Sequence, residues 1–368
     1  MDRREFLGAS VNALGLSLLA VGCGSSLVSR SLASKKGGTI VTGHVVKDET
    51  ILTFMDLATG TREEHAIPLT APHTIYRNYL NPDELFVFEV LGNAVIYNTQ
   101  TRVSRKVPLQ NGSVFAGHAT QLGEVIWCTE EQGANRLLRR YSAHDLQPLP
   151  GNDQVFRSGH SVVRLPDRPV LVTGGLFDKQ GFISFIDSES GKLMRQTSLA
   201  SFPVHLIAMS PTEVVFSACS TCLLPGKLAA CNDADMHPAG NLPEFPHDSL
   251  DPIWRVSMEG KAWRAPAALI DPAHQDVVVG GLFMSKISDK QFVTSHKVKD
   301  ALALWQDGKV QHVFPATDPH DMCVSADGKQ LVINGREGLS IYSLENPRAP
   351  RQLIPGEKKV LVTCLAPV

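Results

Sequence analysis

The stretch from Gly159 to Leu199 contains four short apolar segments separated by turn signals. The turn signals are a Pro-Asp pair, a Gly-rich bend and a Ser-Glu-Ser-Gly turn, and the apolar segments are Val162–Leu165, Val170–Thr173, Phe182–Ile186 and Leu193–Leu199. This pattern predicts a four-stranded antiparallel meander. Because such a sheet cannot bury both of its faces alone, copies of it must pack against one another around an axis.

Related stretches recur along the chain, and each of them opens with a histidine. The opening histidines are His73, His118, His160, His205 and His320. The first four are separated by steps of 45, 42 and 45 residues, which is the length of one four-stranded propeller blade. The step from His205 to His320 is 115 residues. It has room for two blades plus an insertion of about 25 residues.

Two blades lack an opening histidine. Aligning Val277–Val279 with Val170–Thr173 puts Pro266 at the opening of the fifth blade. The closing blade combines the two ends of the chain, with predicted strands at Gly38–Val46, Ile51–Leu57, His65–Leu69 and Val360–Leu365. Pairing the N-terminal with the C-terminal strand closes the ring and removes a free sheet edge. The sequence therefore predicts an all-β, seven-bladed β-propeller over residues 38–368.

The five opening histidines are the candidate site. In a propeller the first strand of each blade lines the central channel, so these side chains are expected to converge at one channel mouth. Converging imidazoles are good ligands for copper, iron or zinc, and Asp321 is expected to orient a ring or supply an oxygen ligand. In the alternative interpretation the histidines are structural and fix each blade against its neighbour.

The segment 217–252 interrupts the blade rhythm and is rich in cysteine. Cys219 and Cys222 have the spacing of metal and redox sites, and Cys231 and His237 follow. A second metal site and a disulfide are both open, with Cys128 as a partner for a leftover cysteine. The Pro and Gly content predicts a loop that covers one face or docks a partner.

Other chemistry has little support in the sequence. There is no Gly-x-Ser-x-Gly, His-Glu-x-x-His or Cys-x-x-Cys-His motif, so hydrolase and c-type cytochrome functions lose support. A formal net charge of −2 argues against nucleic-acid binding. The remaining histidines fall in predicted turns or outer strands and are interpreted as solvated: His44, His65, His144, His274, His296 and His312.

The N-terminus resembles an export signal. Arg3 and Arg4 are followed by an apolar run from Val11 to Gly22, which is typical of a twin-arginine signal peptide. The run ends at Cys23, the expected lipidated residue, although simple cleavage further along stays open. We therefore predict a signal peptide at 1–23, a flexible linker at 24–37 and a periplasmic protein that contacts the membrane only through its lipid.

Several short motifs occur in a characteristic order. They are GHATQLGEVIWCTE at Gly117–Glu130, LPD at Leu165–Asp167, FIDSESGKLMRQTSL at Phe185–Leu199 and PHD at Pro319–Asp321. In this order the chain resembles the exported bacterial propellers grouped as domain of unknown function 1513, which are similar to YVTN and WD40-type propellers. The resemblance implies a seven-bladed fold and an association with periplasmic iron uptake.

Three functional hypotheses follow. The first is a periplasmic accessory protein, expected to be a monomer, that binds a transition metal or a metal-related partner at the histidine-lined mouth. The second is a non-catalytic scaffold that binds another envelope protein. The third is an oxidoreductase with a cofactor in the channel.

Overall fold

A computed structural model of the protein describes residues 38–107, 112–133, 135–150, 161–177, 180–199, 203–218, 253–259, 262–264, 283–296, 300–325, 327–356 and 361–365. These residues form antiparallel strands arranged in seven small sheets. The sheets follow one another as the blades of a seven-bladed β-propeller, which confirms the predicted fold class. Within this part of the chain, no helix is long and apolar enough to cross a membrane.

The first three blades alternate short strands with tight turns. Blade 1 contains β4 (Pro72–Arg77), β5 (Glu84–Glu89), β6 (Ala94–Asn98) and β7 (Ser104–Val107). Blade 2 contains β8 (Val114–Leu122), β9 (Val125–Gln132) and β10 (Asn135–Ser142). Blade 3 contains β11 (Ser161–Arg164), β12 (Val170–Phe177), β13 (Gln180–Asp187) and β14 (Leu193–Leu199). The four segments predicted for Gly159–Leu199 are therefore the four strands of blade 3.

The next three blades have the same strand order. Blade 4 contains β15 (Pro203–Ser210), β16 (Glu213–Ala218), β17 (Ile253–Ser257) and β18 (Ala262–Arg264). Blade 5 contains β19 (Met284–Lys286), β20 (Gln291–His296), β21 (Ala301–Gln306) and β22 (Lys309–Pro315). Blade 6 contains β23 (Met322–Val324), β24 (Gln330–Gly335), β25 (Gly338–Ser343) and β26 (Gln352–Pro355).

Blade 7 joins the two ends of the described chain. Its strands are β27 (Leu361–Leu365), β1 (Thr39–Val46), β2 (Glu49–Asp56) and β3 (Arg62–Ile67), in that spatial order. The strands β27 and β1 pair antiparallel, with Thr39 opposite Leu365 and Gly43 opposite Leu361. The predicted closure of the ring is confirmed, and β1 has no free edge within this sheet.

The position of the fifth blade differs from the sequence alignment. Its inner strand is β19, and Phe283 lies directly before it, so the assignment of Pro266 as the blade opening is wrong. The segment around Val277 lies outside the described residues, and the second strand of this blade is β20. The step of 115 residues does contain two blades, and the break in rhythm falls between β16 and β17 of blade 4.

The glycine pair at Gly174 and Gly175 was expected to form a bend, but both residues lie inside β12, opposite Ile183 and Phe182. A Cβ atom at Gly174 would lie 2.7 Å from Ile183 Cδ1 and 3.0 Å from Pro203 Cγ. Glycine here therefore allows the backbone of blade 3 to approach the inner strand of blade 4 closely.

The core consists of seven apolar clusters, one between each pair of successive blades. Phe88, Phe115 and Tyr141 belong to the cluster between blades 1 and 2, and the fully buried Trp305 packs between blades 4 and 5. Full burial of each large apolar side chain stabilises the fold by about 1.5–3 kcal/mol. The apolar segments found in the sequence thus hold the blades to one another and fix the inner strands around the channel.

Candidate metal centre

Three of the opening histidines lie on inner strands and face one cavity in the channel. His73 lies on β4, His118 on β8 and His205 on β15. The cavity has a volume of about 560 Å³. His118 and His205 are buried, and His73 is half-buried. Blades that are remote in sequence therefore bring three imidazoles to one place.

These three imidazoles, which we call the histidine triad, are close enough to share an ion. The Nε2 atoms of His73 and His118 are 3.1 Å apart, and their rings are nearly perpendicular. The ring centroids of His118 and His205 are 5.3 Å apart. One ligand atom from each histidine lies within 4.8 Å of the others. The triad is thus a candidate binding site for a transition metal.

In blades 2, 4 and 5 a hydroxyl group on the second strand anchors the backbone at the opening position of the blade. The His118 N–H donates to Thr129 Oγ1 at 3.2 Å, and Thr129 donates back to the His118 carbonyl at 3.0 Å. The His205 N–H donates to Ser217 Oγ at 3.4 Å. The same contact joins Phe283 to Ser295 at 3.0 Å. His118, His205 and Phe283 are therefore held in the same way relative to their blades.

Gly117 allows His73 and His118 to approach each other. Its φ is +97°, and a Cβ atom on it would lie 2.3 Å from His73 Cδ2. The Thr74 hydroxyl donates to the Gly117 carbonyl. Any larger residue at position 117 would displace the His73 ring, in addition to the backbone cost of a positive φ.

Glu89 anchors the segment that leads into His73. Its carboxylate accepts the N–H groups of Thr70 at 2.5 Å, Ala71 at 3.1 Å and Asn93 at 2.7 Å. Burial raises the pKa of Glu89, but these hydrogen bonds outweigh burial and hold the pKa below its ordinary value. Glu89 is therefore a buried carboxylate that stays ionised at neutral pH.

Tyr76 lies next to His118 and contacts both its imidazole and the backbone of the following residue. Its Oη accepts the Ala119 N–H at 3.1 Å and lies 3.4 Å from His118 Nδ1. Burial raises the pKa of Tyr76 to about 12, so the side chain is a neutral phenol at physiological pH. Tyr76 belongs to no motif in the sequence, although its place three residues after His73 on an inner strand makes it adjacent to the channel.

His118 is a neutral imidazole at physiological pH. Burial lowers its pKa well below the ordinary value of 6.5, and the neighbouring His73 and His205 lower it further. A neutral imidazole has the free lone pair that metal binding requires. The burial that disfavours a proton on His118 therefore favours a metal ligand.

The other predicted ligands are placed differently. Phe283 lies between His205 and His320, with ring centroids 4.6 and 4.7 Å away, so His320 stands apart from the triad. Asp321 lines the cavity, and its Oδ1 accepts the Met322 N–H at 2.9 Å. His160 lies outside the described residues. Of the four opening histidines that the structure describes, three lie together and His320 lies apart from them.

The cysteine predictions have mixed outcomes. Cys128 is a free, buried thiol, so the suggestion that it pairs with a leftover cysteine is wrong. Burial raises its pKa well above the ordinary value. Cys323 is disulfide-bonded. The remaining predicted residues lie outside the described part of the chain: Cys219, Cys222, Cys231, His237, Cys23, Arg3 and Arg4.

Two histidines that were interpreted as solvated are buried instead. His44 lies on β1, and His296 is fully buried on β20. The His296 Nε2 atom is 2.7 Å from Thr294 Oγ1, which also accepts the Trp305 indole N–H at 2.8 Å. Both histidines lie on inner or second strands of their blades, where side chains pack between sheets.

Comparisons with solved structures support the fold. A 6-phosphogluconolactonase candidate from Bacteroides uniformis has a TM-score of 0.62 at 11% identity, with 90% of this chain and 100% of that chain covered. Dihydro-heme d1 dehydrogenase NirN, in complex with DHE, has a TM-score of 0.53 at 15% identity, with 92% and 78% covered. The RRP9 WD40 repeats have a TM-score of 0.54 at 8% identity, with 77% and 80% covered.

No protein-family profile and no curated protein matches the chain. At these low identities the likeness to solved structures shows the propeller fold alone. The resemblance to the exported family of unknown function therefore stays a prediction beyond the fold.

Proposed function

We propose that this propeller binds a divalent transition metal, copper, iron or zinc, at the histidine triad and serves as an accessory protein in metal handling. The observation that carries the proposal is the convergence of three imidazoles from three separate blades, with one ligand atom of each within 4.8 Å of the others. Imidazole is a ligand shared by these three metals. Because imidazole binds all three metals, the site is proposed for any of them, and the experiment below identifies which metal is bound.

The triad has a geometry that suits an ion. Metal–nitrogen bonds of about 2.0–2.1 Å place two imidazole nitrogens on a tetrahedral ion about 3.3 Å apart. The distance of 3.1 Å between the Nε2 atoms of His73 and His118 is close to this value. The ligand atoms of the triad lie within 4.8 Å of one another, so the His205 imidazole has to move by at most about 1.5 Å to bind the same ion. Three protein ligands leave a coordination position open for a further ligand.

The neighbours of His118 support the same role. A metal-bound histidine usually donates its second ring N–H to a nearby oxygen, which fixes the tautomer and the ring orientation. The Tyr76 oxygen, 3.4 Å from His118 Nδ1, is in position to accept that proton. With Nδ1 protonated, Nε2 carries the lone pair and faces His73.

We place the protein outside the cytoplasm, exported through the twin-arginine motif at Arg3 and Arg4 and tethered through Cys23. A monomer that contacts another envelope protein is the proposed form. The disulfide at Cys323 supports this location, because disulfides persist in oxidising compartments.

The test is the metal content of the mature protein, purified after export without a histidine tag or chelator. We expect a near-stoichiometric amount of copper, iron or zinc, and its loss in His118→Ala. The matched control is His144→Ala, because His144 is exposed on a loop away from the channel. A metal-free protein that also fails to take up these ions, or a His118→Ala variant that retains them, would overturn the proposal.

A scaffold role is the second candidate, and one observation favours it. The 3.1 Å contact between His73 and His118 is also the geometry of a hydrogen bond between two neutral imidazoles. In that case the histidines hold blades 1 and 2 together. His118→Ala would then lower the melting temperature strongly without removing any metal, whereas a metal site predicts metal loss as the main effect.

A further inference from the structure

The channel cavity is much larger than a metal ion requires. Its volume of about 560 Å³ falls in the usual range for pockets that bind small organic molecules, about 300–1,000 Å³. Besides the triad, its lining contains hydroxyl groups of Thr74, Thr120, Ser161 and Ser285. The site therefore has room for an organic molecule beside the ion.

The end of the cavity away from the triad is basic. Arg77 on β4 and Arg164 on β11 both line the cavity. Arg77 is four residues after His73 on β4, which at 3.3 Å per residue is about 13 Å along the strand, and Arg164 has the corresponding position in the sequence repeat. Arg164 is exposed and Arg77 is half-buried. Among the described residues that line the cavity, Asp321 is the one acidic side chain, so the two guanidinium groups outnumber it.

Tyr79 lies at the same end and remains 77% exposed. Its backbone N–H donates to Gln121 Oε1 at 3.0 Å, while Gln121 Nε2 donates to the Gly123 carbonyl at 3.0 Å. The loop that carries Tyr79 is therefore anchored to blade 2, and Tyr79 lines the cavity with an exposed side chain.

We propose that the channel takes its metal together with an anionic, carboxylate-bearing chelator, the metal at the triad and the carboxylates at Arg77 and Arg164. This inference rests on the proposed metal-binding function. Guanidinium groups pair with carboxylates through two parallel hydrogen bonds. A small polycarboxylate chelate leaves coordination positions open, and imidazoles of the triad fill them.

Equilibrium dialysis with Zn²⁺ and radiolabelled citrate tests this. We expect the protein to retain citrate only when Zn²⁺ is present. The amount of bound citrate should then equal the amount of bound Zn²⁺. The variant Arg164→Gln should weaken citrate retention about tenfold, the loss expected for one charge-assisted hydrogen-bonded pair, and leave the affinity for Zn²⁺ alone within about twofold. The matched control is Arg195→Gln, which removes an exposed charge from the outer strand β14 of the same blade. Arg77→Lys should retain citrate more strongly than Arg164→Gln, because the charge is kept.

The outcomes separate this inference from the function on which it rests. Zinc bound without citrate, citrate bound equally well without zinc, or equal citrate retention by Arg164→Gln and Arg195→Gln would overturn the chelate proposal and leave the metal site standing. Failure to bind Zn²⁺, with or without citrate, would overturn both the chelate proposal and zinc as the metal of the triad.

Discussion

Phe283 stacks on the imidazole of His205, with ring centroids 4.6 Å apart and an interplanar angle of 29°. On its other side the same ring lies 4.7 Å from His320. Blade 5 thus has a phenyl group where its neighbours have imidazoles. Phe283 is 8% exposed and belongs to the apolar cluster between blades 5 and 6. It therefore separates His320 from the triad and ends the line of metal ligands on that side.

Because of this separation, we expect His205 and His320 to differ in metal binding, although the sequence repeat places each of them at the opening of a blade. We expect His205→Ala to lower the affinity for Zn²⁺ at least tenfold, because one of three ligands is removed. His320→Ala should keep the affinity within about twofold. Calorimetric titration with Zn²⁺ measures both. Equal losses in the two variants would contradict the triad and favour the ring predicted from the repeat.

Gly117 offers a test of the contact between blades 1 and 2. Gly117→Ala should lower both metal affinity and the free energy of unfolding, because its Cβ would collide with His73. The matched control is Gly123→Ala, which also has a positive φ but has nothing within 4 Å of the added Cβ. The control should lower the free energy of unfolding by about 1 kcal/mol through its effect on the backbone alone. Gly117→Ala should lower it by about 1–3 kcal/mol more. Urea unfolding and Zn²⁺ titration measure the difference, and equal effects of the two variants would refute the argument.

Tyr76 should matter through its hydroxyl group. Tyr76→Phe keeps the ring in its cluster but leaves the Ala119 N–H without its acceptor and removes the oxygen next to His118. We expect a loss of about 1–3 kcal/mol in stability and a 10- to 100-fold loss of metal affinity. Thermal unfolding and metal titration of the purified variant would report the two effects separately. A variant that binds metal as well as the parent protein would rule out support of His118 by Tyr76.

Glu89 should make stability depend on pH. Its pKa in the folded protein lies below the ordinary value of 4.5, so the unfolded chain takes up a proton at higher pH than the folded chain. The stabilisation is therefore present above about pH 4.5 and is lost as pH falls through the folded pKa.

Glu89→Gln replaces one acceptor oxygen by a donor. It should accordingly lower the free energy of unfolding by about 1–3 kcal/mol near neutral pH and by progressively less in acid. Chemical unfolding at a series of pH values measures the change. The control is Glu189→Gln in an exposed turn, which should have little effect at any pH. A Glu89→Gln penalty that does not shrink below pH 4.5 would contradict the assignment.

Much of the fold was predictable because each repeat contains short apolar segments bounded by turn residues, and these features are local in the sequence. The strands of blade 3 and the closing strands of blade 7 follow apolar segments bounded by turn residues. The fifth blade was misplaced because a Val-rich run followed by two glycines imitates the second strand of blade 3, while the signature histidine is replaced by Phe283. A hydroxyl residue eleven or twelve positions later, as in His118 with Thr129 and Phe283 with Ser295, would have aligned this blade correctly.

The candidate site was predictable only in part. Spacing identified the inner strands that carry His73, His118 and His205, but it contains no information on distances across the channel. The approach of His73 to His118 depends on the irregular register of β8 between Phe115 and Ala119 and on the positive φ of Gly117. Such features arise from packing between neighbouring blades, and a periodic pattern does not encode them.

The pairing of β1 with β27 also has a consequence for how the chain folds. Ile40 meets Cys364 across this pair, so the last contact to form joins segments from opposite ends of the sequence. Contacts of such high sequence separation form slowly, because loop-closure entropy opposes them until the intervening structure is in place. During synthesis, blades 1 to 6 can assemble before β27, the strand that pairs with β1, has been made. Completion of the ring, and with it the final shape of the channel, therefore requires β27, which is synthesised after every other strand of the ring.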